Sequence, residues 1–72
     1  NGETKIRYSI NKASKGKFQL LDISGRVVLE RDLSSYSGIN EIILETSQFS
    51  KGIYYYRVDF GEASGIRKLI IY

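Results

Sequence analysis

The chain has 72 residues, 11 Lys and Arg against 8 Asp and Glu for a net charge of +3, and neither Cys nor His. That length holds one modest core and no second domain. Without His or Cys, the usual neutral-pH acid/base group, the commonest metal ligand and every thiolate are missing, which excludes most hydrolase and zinc chemistry. The basic residues are scattered from Lys5 to Lys68 rather than gathered on one stripe, so the charge reads as a solubility feature and no nucleic-acid partner is expected. No apolar run approaches the roughly 20 residues of a membrane span, and the first nine positions, NGETKIRYS, lack the hydrophobic stretch of a signal peptide. The sequence therefore reads as a fragment whose parent, if exported, carries its leader upstream.

Strict alternation opens the chain, with Ile6, Tyr8 and Ile10 on one side and Lys5, Arg7 and Ser9 on the other, the pattern of a half-buried strand. Residues 11–16 interrupt it. Phe18 and Leu20 then resume the inward pattern, with Lys17 and Gln19 outward, as far as the turn sequence Asp22-Ile23-Ser24-Gly25. There Asp22 can accept backbone N–H bonds and Gly25 can take a positive φ, which predicts a tight hairpin into a strand over residues 26–31. The polar segment Ser34-Ser35-Tyr36-Ser37-Gly38 leads into residues 39–45, with Ile42 and Leu44 on one face, and suits a crossover between sheets.

A loop over residues 46–51, pinned by Phe49, precedes Gly52-Ile53-Tyr54-Tyr55-Tyr56-Arg57-Val58, which is nearly all β-branched or aromatic and gives the strongest strand signal. Phe60-Gly61-Glu62-Ala63 reads as a two-residue hairpin turn, and arithmetic from Phe60 opposite Ala63 sets Tyr54 against Leu69 and Tyr55 against Lys68. The last strand, residues 64–72, turns Leu69 and Ile71 inward and Ile66, Lys68 and Ile70 outward. Six to seven short strands with turn residues between them and no helical period predict an all-β fold, an antiparallel, immunoglobulin-like β-sandwich.

Several residues invite a chemical role, and each has a structural counterpart. Asp22 with Gly25 could start a calcium loop, but a calcium ion takes about six to eight oxygens and this segment supplies too few, so a structural turn is expected. Gly52 and Tyr54 fit a tyrosine corner, in which the hydroxyl bonds back to backbone a few residues upstream. Of the three consecutive tyrosines the pleat leaves only Tyr55 outside, a poor stacking platform. No carboxylate pair is placed for acid/base work, and a Ser-His-Asp arrangement cannot exist, so neither catalysis, cofactor nor metal is expected. The outer face of the last two strands is more informative: Ile53, Tyr55, Ile66 and Ile70, flanked by Arg57 and Lys68, form an apolar surface that either a partner or a neighbouring segment would cover.

Taken in order, residues 4–10 (TKIRYSI), 20–28 (LLDISGRVV), 49–58 (FSKGIYYYRV) and 67–71 (RKLII) resemble the type IX secretion system C-terminal sorting domain, type A, of Bacteroidota. The resemblance spans nearly the whole chain and rests on the order and spacing of D-x-x-G-R, L-x-x-G-x-Y and a terminal basic-apolar strand, with Phe49 standing where the family usually has Leu. It implies a single sorting domain over residues 1–72 at the C-terminal end of a larger exported parent, secreted or held at the cell surface by way of the periplasm and outer membrane. Its partners would be the outer-membrane secretion machinery, a sortase-like protease and the cargo ahead of it. Recognition is then expected at Arg67, Lys68, Ile70 and Ile71, with the edge of the terminal strand open to strand addition. The alternatives are an accessory carbohydrate-binding module centred on Tyr55 and Tyr36, or a spacer module of a secreted enzyme.

Overall fold

The computed structural model describes residues 2–61 and 64–72. Among them are six strands, β1 (Glu3–Ile10), β2 (Ser14–Leu21), β3 (Val27–Ser35), β4 (Gly38–Glu45), β5 (Gly52–Asp59) and β6 (Ser64–Ile71), and no helix. Four strands form one sheet in the order β3-β2-β5-β6, and β1 pairs with β4 in a second sheet, every pairing being antiparallel. This is an all-β sandwich, and the expected crossover is the passage from β3 in the large sheet to β4 in the small one.

Alternation is what puts the core between the sheets. Ile6 from β1 and Ile42 and Leu44 from β4 meet Phe18, Leu20, Leu33, Tyr54 and Ile71 from the large sheet in one buried cluster. Phe18, Leu20 and Leu44 are fully buried, and burying side chains of that size is worth about 1.5–3 kcal/mol each. Tyr8 completes one end, its hydroxyl sharing a 2.5 Å hydrogen bond with Ser35 Oγ and its ring lying 5.7 Å from that of Phe60.

Two boundaries differ from the sequence reading. The break after β1 covers only residues 11–13, because Gly16 lies within β2, opposite Leu33. It is a glycine for a packing reason: a Cβ there would fall 2.3 Å from the Asp59 carbonyl oxygen and 2.5 Å from the Phe60 ring. Likewise β3 runs on through Ser34 and Ser35, which pair with Lys15 and Ser14 despite their low strand propensity. The sheet ladder and the Tyr8 bond to buried Ser35 outweigh local preference there.

The pairing of β5 with β6 sets Tyr54 against Leu69 and Tyr55 against Lys68, the expected register. The turn from which that register was reckoned lies partly outside the described residues, at Glu62 and Ala63.

Candidate functional site

Register assigns the outer face of the large sheet row by row. One row reads Val27–Leu21–Tyr55–Lys68, the next Glu30–Gln19–Arg57–Ile66, and a third Asp32–Lys17–Asp59–Ser64, while Ile53 stands beside Ile70 beyond the first. The third row and the middle one are polar: Lys17 Nζ lies 3.2 Å from Asp32 Oδ1, and Gln19 Nε2 donates to Glu30 Oε2 at 2.7 Å. The Asp32 hydrogen bond, with the charges of Asp32 and Glu30, holds the Lys17 ammonium pKa above its ordinary value. The opposite end of the face is apolar. Ile53 is 38 % exposed, Tyr55 37 % and Ile70 44 %, and Ile66, 57 % exposed at the β6 end of the middle row, adjoins them.

Leu21 and Val27 extend this patch across the sheet, and the sequence reading missed both. Leu21 is buried yet stands outside the core cluster, because its parity puts it on the outer face between Val27 and Tyr55. The signal was there in its alternation with Lys17 and Gln19. What could not be read locally is that β2 lies beside β5, which brings residues more than thirty positions apart into one row.

The four residues expected to carry recognition divide between the faces. Lys68 and Ile70 lie on the outer face, opposite Tyr55 and Ile53. Arg67 has the inward parity and pairs with Tyr56, and Ile71 is a core residue only 6 % exposed. Of the four, Lys68 and Ile70 alone share the outer patch with Ile53 and Tyr55, while Arg57 and Ile66 join it from the middle row.

The two structural motifs frame this patch. In the turn after β2, Asp22 Oδ1 accepts from Ser24 N–H (3.0 Å), Ser24 Oγ–H (2.7 Å) and Arg26 N–H (3.0 Å), and its Oδ2 pairs with Arg26 Nε at 3.1 Å. The Ser24 hydroxyl first, then the Arg26 backbone N–H, hold the Asp22 carboxyl below its usual range. Gly25, at φ 90°, closes the turn with an N–H bond to the Asp22 carbonyl at 2.9 Å. No group of three metal-ligating side chains occurs among the described residues.

Ahead of β5, Tyr54 Oη donates to the Ser50 carbonyl at 2.8 Å, and Gly52 at φ 147° allows the bend between them. This is the tyrosine-corner arrangement, and Phe49 packs its ring 6.1 Å from that of Tyr54.

Tyr36, highly exposed, stands apart from all of this. It follows Ser35, whose partner on β2 is Ser14, whereas Tyr55 is opposite Leu21. From Ser14 to Leu21 is about 23 Å at about 3.3 Å per residue. The two rings do not form one platform.

Among the described residues no helix is long and apolar enough to cross a membrane. Neither the curated proteins nor the solved structures returned a match to this chain. The family model described as "Secretion system C-terminal sorting domain" matches residues 1–72, the whole length. With its all-β sandwich, its D-x-x-G-R turn and its tyrosine corner in place, the chain belongs to the type IX secretion C-terminal sorting domain family.

Proposed function

We propose that this module addresses a larger parent protein, attached ahead of it, to the type IX machinery of the outer membrane, and that it does so as a folded, non-catalytic surface. The family supplies the sorting role and, with it, export to the cell surface or beyond. The observation that carries the finer reading is the outer face of β5 and β6. Ile53, Tyr55 and Ile70 are apolar, exposed and contiguous, beside Lys68. Passage through the periplasm, contact with the translocon and removal by a sortase-like protease belong to the same reading.

The test uses the full-length parent in its own cells. Ile53→Ser, Tyr55→Ser and Ile70→Ser combined are expected to leave the parent in the periplasm while the isolated 72-residue chain keeps its β-sheet circular dichroism and unfolding midpoint. Undiminished surface delivery of the triple variant would overturn the outer-face reading. Surface delivery after removal of residues 69–72 would overturn the sorting role itself.

A further inference from the structure

The small sheet has two free edges, and they are treated differently. On the β4 side, Arg31 reaches over from β3 and donates from Nη1 to the Ile43 carbonyl at 3.1 Å, so a side chain occupies that edge. The β1 side faces β6 across an open groove of about 540 Å³. Five consecutive residues, Ile6–Ile10, line it. Alternate residues of a strand point to opposite faces, so an unbroken run of five can line one groove only if the strand presents its edge. Unpaired backbone N–H and C=O groups on an edge are strong hydrogen-bonding sites and a template for another strand.

The rest of the groove fits a polypeptide with alternating character. Val58 and Phe60 form an apolar floor, both packed against the core cluster. Gly65 and Arg67, on the inward side of β6, form the far wall. A Cβ at Gly65 would meet nothing within 4 Å, so the missing side chain leaves room rather than relieving a clash. Arg7 is held by Glu41 at 3.2 Å, but Arg67 makes no ion pair among the described residues.

We infer that this groove binds an extended peptide strand, added to the edge of β1, with apolar side chains on the Val58–Phe60 floor and an Asp or Glu paired with Arg67. A second copy of the chain is the poorer occupant. Antiparallel pairing of two β1 edges about Ile6 sets Lys5 of one copy against Arg7 of the other, and like charges across strands destabilise a sheet. The inference does not rest on the outer-face reading, since it concerns the opposite side of β6.

The probe is a synthetic peptide of alternating Val and Thr with one central Asp, titrated into the isotope-labelled 72-residue chain and followed by NMR. Expected are amide shifts along Ile6–Ile10 with cross-strand contacts to the peptide, and binding about fivefold weaker for the Asp→Lys peptide, the size of an exposed ion pair. Arg67→Glu should reverse that preference. Gly65→Trp should abolish binding with amide dispersion unchanged. Absence of shifts with either peptide, shifts confined to the Tyr55–Ile70 face, equal affinity for the Asp and Lys peptides, or dimerisation through β1 in sedimentation would each overturn the inference.

Discussion

Tyr54 and Tyr55 are neighbours in β5, the same residue type in the same strand, and their surroundings share almost nothing. Tyr54 is 8 % exposed, its ring in the core and its hydroxyl fixed to Ser50, so both its apolar body and its polar tip are used by the fold. Tyr55 lies on the outer face among Ile53, Ile70 and Lys68, with its hydroxyl in no hydrogen bond among the described residues. The contrast extends to the core positions of the sheet: Phe18, Leu20, Leu33, Tyr54 and Ile71 are buried between the layers, while Ile53, Tyr55 and Ile70 leave hydrophobic surface exposed on the other side. On the proposed reading, stability and sorting recognition lie on opposite faces of β5, which allows each to be altered separately.

The strongest way to break that division is at its centre. Phe18→Ala, at a fully buried position, should cost about 3–5 kcal/mol in urea unfolding, enough to leave so small a domain largely unfolded. Gly16→Ala should cost about 1–3 kcal/mol, because the new methyl meets the Asp59 backbone rather than a movable side chain. Its control is Gly65→Ala, on a strand with open space around it, which should gain about 0.5 kcal/mol from lower unfolded-state entropy. If both glycines respond alike, packing is not what distinguishes them.

Tyr54→Phe removes one hydroxyl and should cost about 1 kcal/mol, while Tyr55→Phe should change the unfolding midpoint by nothing measurable. Single replacements of Ile53 or Ile70 by Ser should stay within about 0.5 kcal/mol, the ordinary range for surface positions. An outer-face variant that unfolds as readily as Phe18→Ala would collapse the distinction.

The smallest effect is electrostatic. Asp22 is held below its usual pKa of 3.8 in the folded state, so its contribution is fully present above that value and is lost as pH falls through the lower folded one. Thermal melts of Asp22→Asn against the parent sequence should differ by a constant amount near neutral pH and converge in acid below 3.8. A gap that widens in acid would mean the carboxylate is not what stabilises the turn.

Much of this arrangement was legible because it is local. Alternation placed Ile6, Phe18, Leu20, Ile42, Leu44 and Ile71 inward, and the turn chemistry of Asp22 and Gly25 and the corner of Gly52 and Tyr54 are written within five residues each. The β5–β6 register followed from simple counting. What escaped was whatever depends on which distant strands become neighbours. Gly16 looked like a loop residue because Asp59 and Phe60, its reason for being glycine, are more than forty positions away. Leu21 joins the outer patch only because β2 lies beside β5, and the groove at Arg67 exists only because β1 stops short of covering β6. Arg67 and Lys68 were both expected to carry recognition, yet the pleat sends them to opposite sides of the sheet.

The position of β5 in the large sheet bears on synthesis as well as on architecture. It is fifth in the chain but lies between β2 and β6, so the sheet has no interior until residues 52–59 have left the ribosome, and its core lacks Ile71 until β6 follows. The β2–β3 pair can form earlier, but alone it has no facing layer for Phe18 and Leu20, whereas the β2–β5 pairing joins residues more than thirty positions apart and such non-local pairings form slowly. A nascent or truncated chain that ends before β6 therefore displays no finished module. The order of strands makes a folded domain a report that translation has run through its last strand.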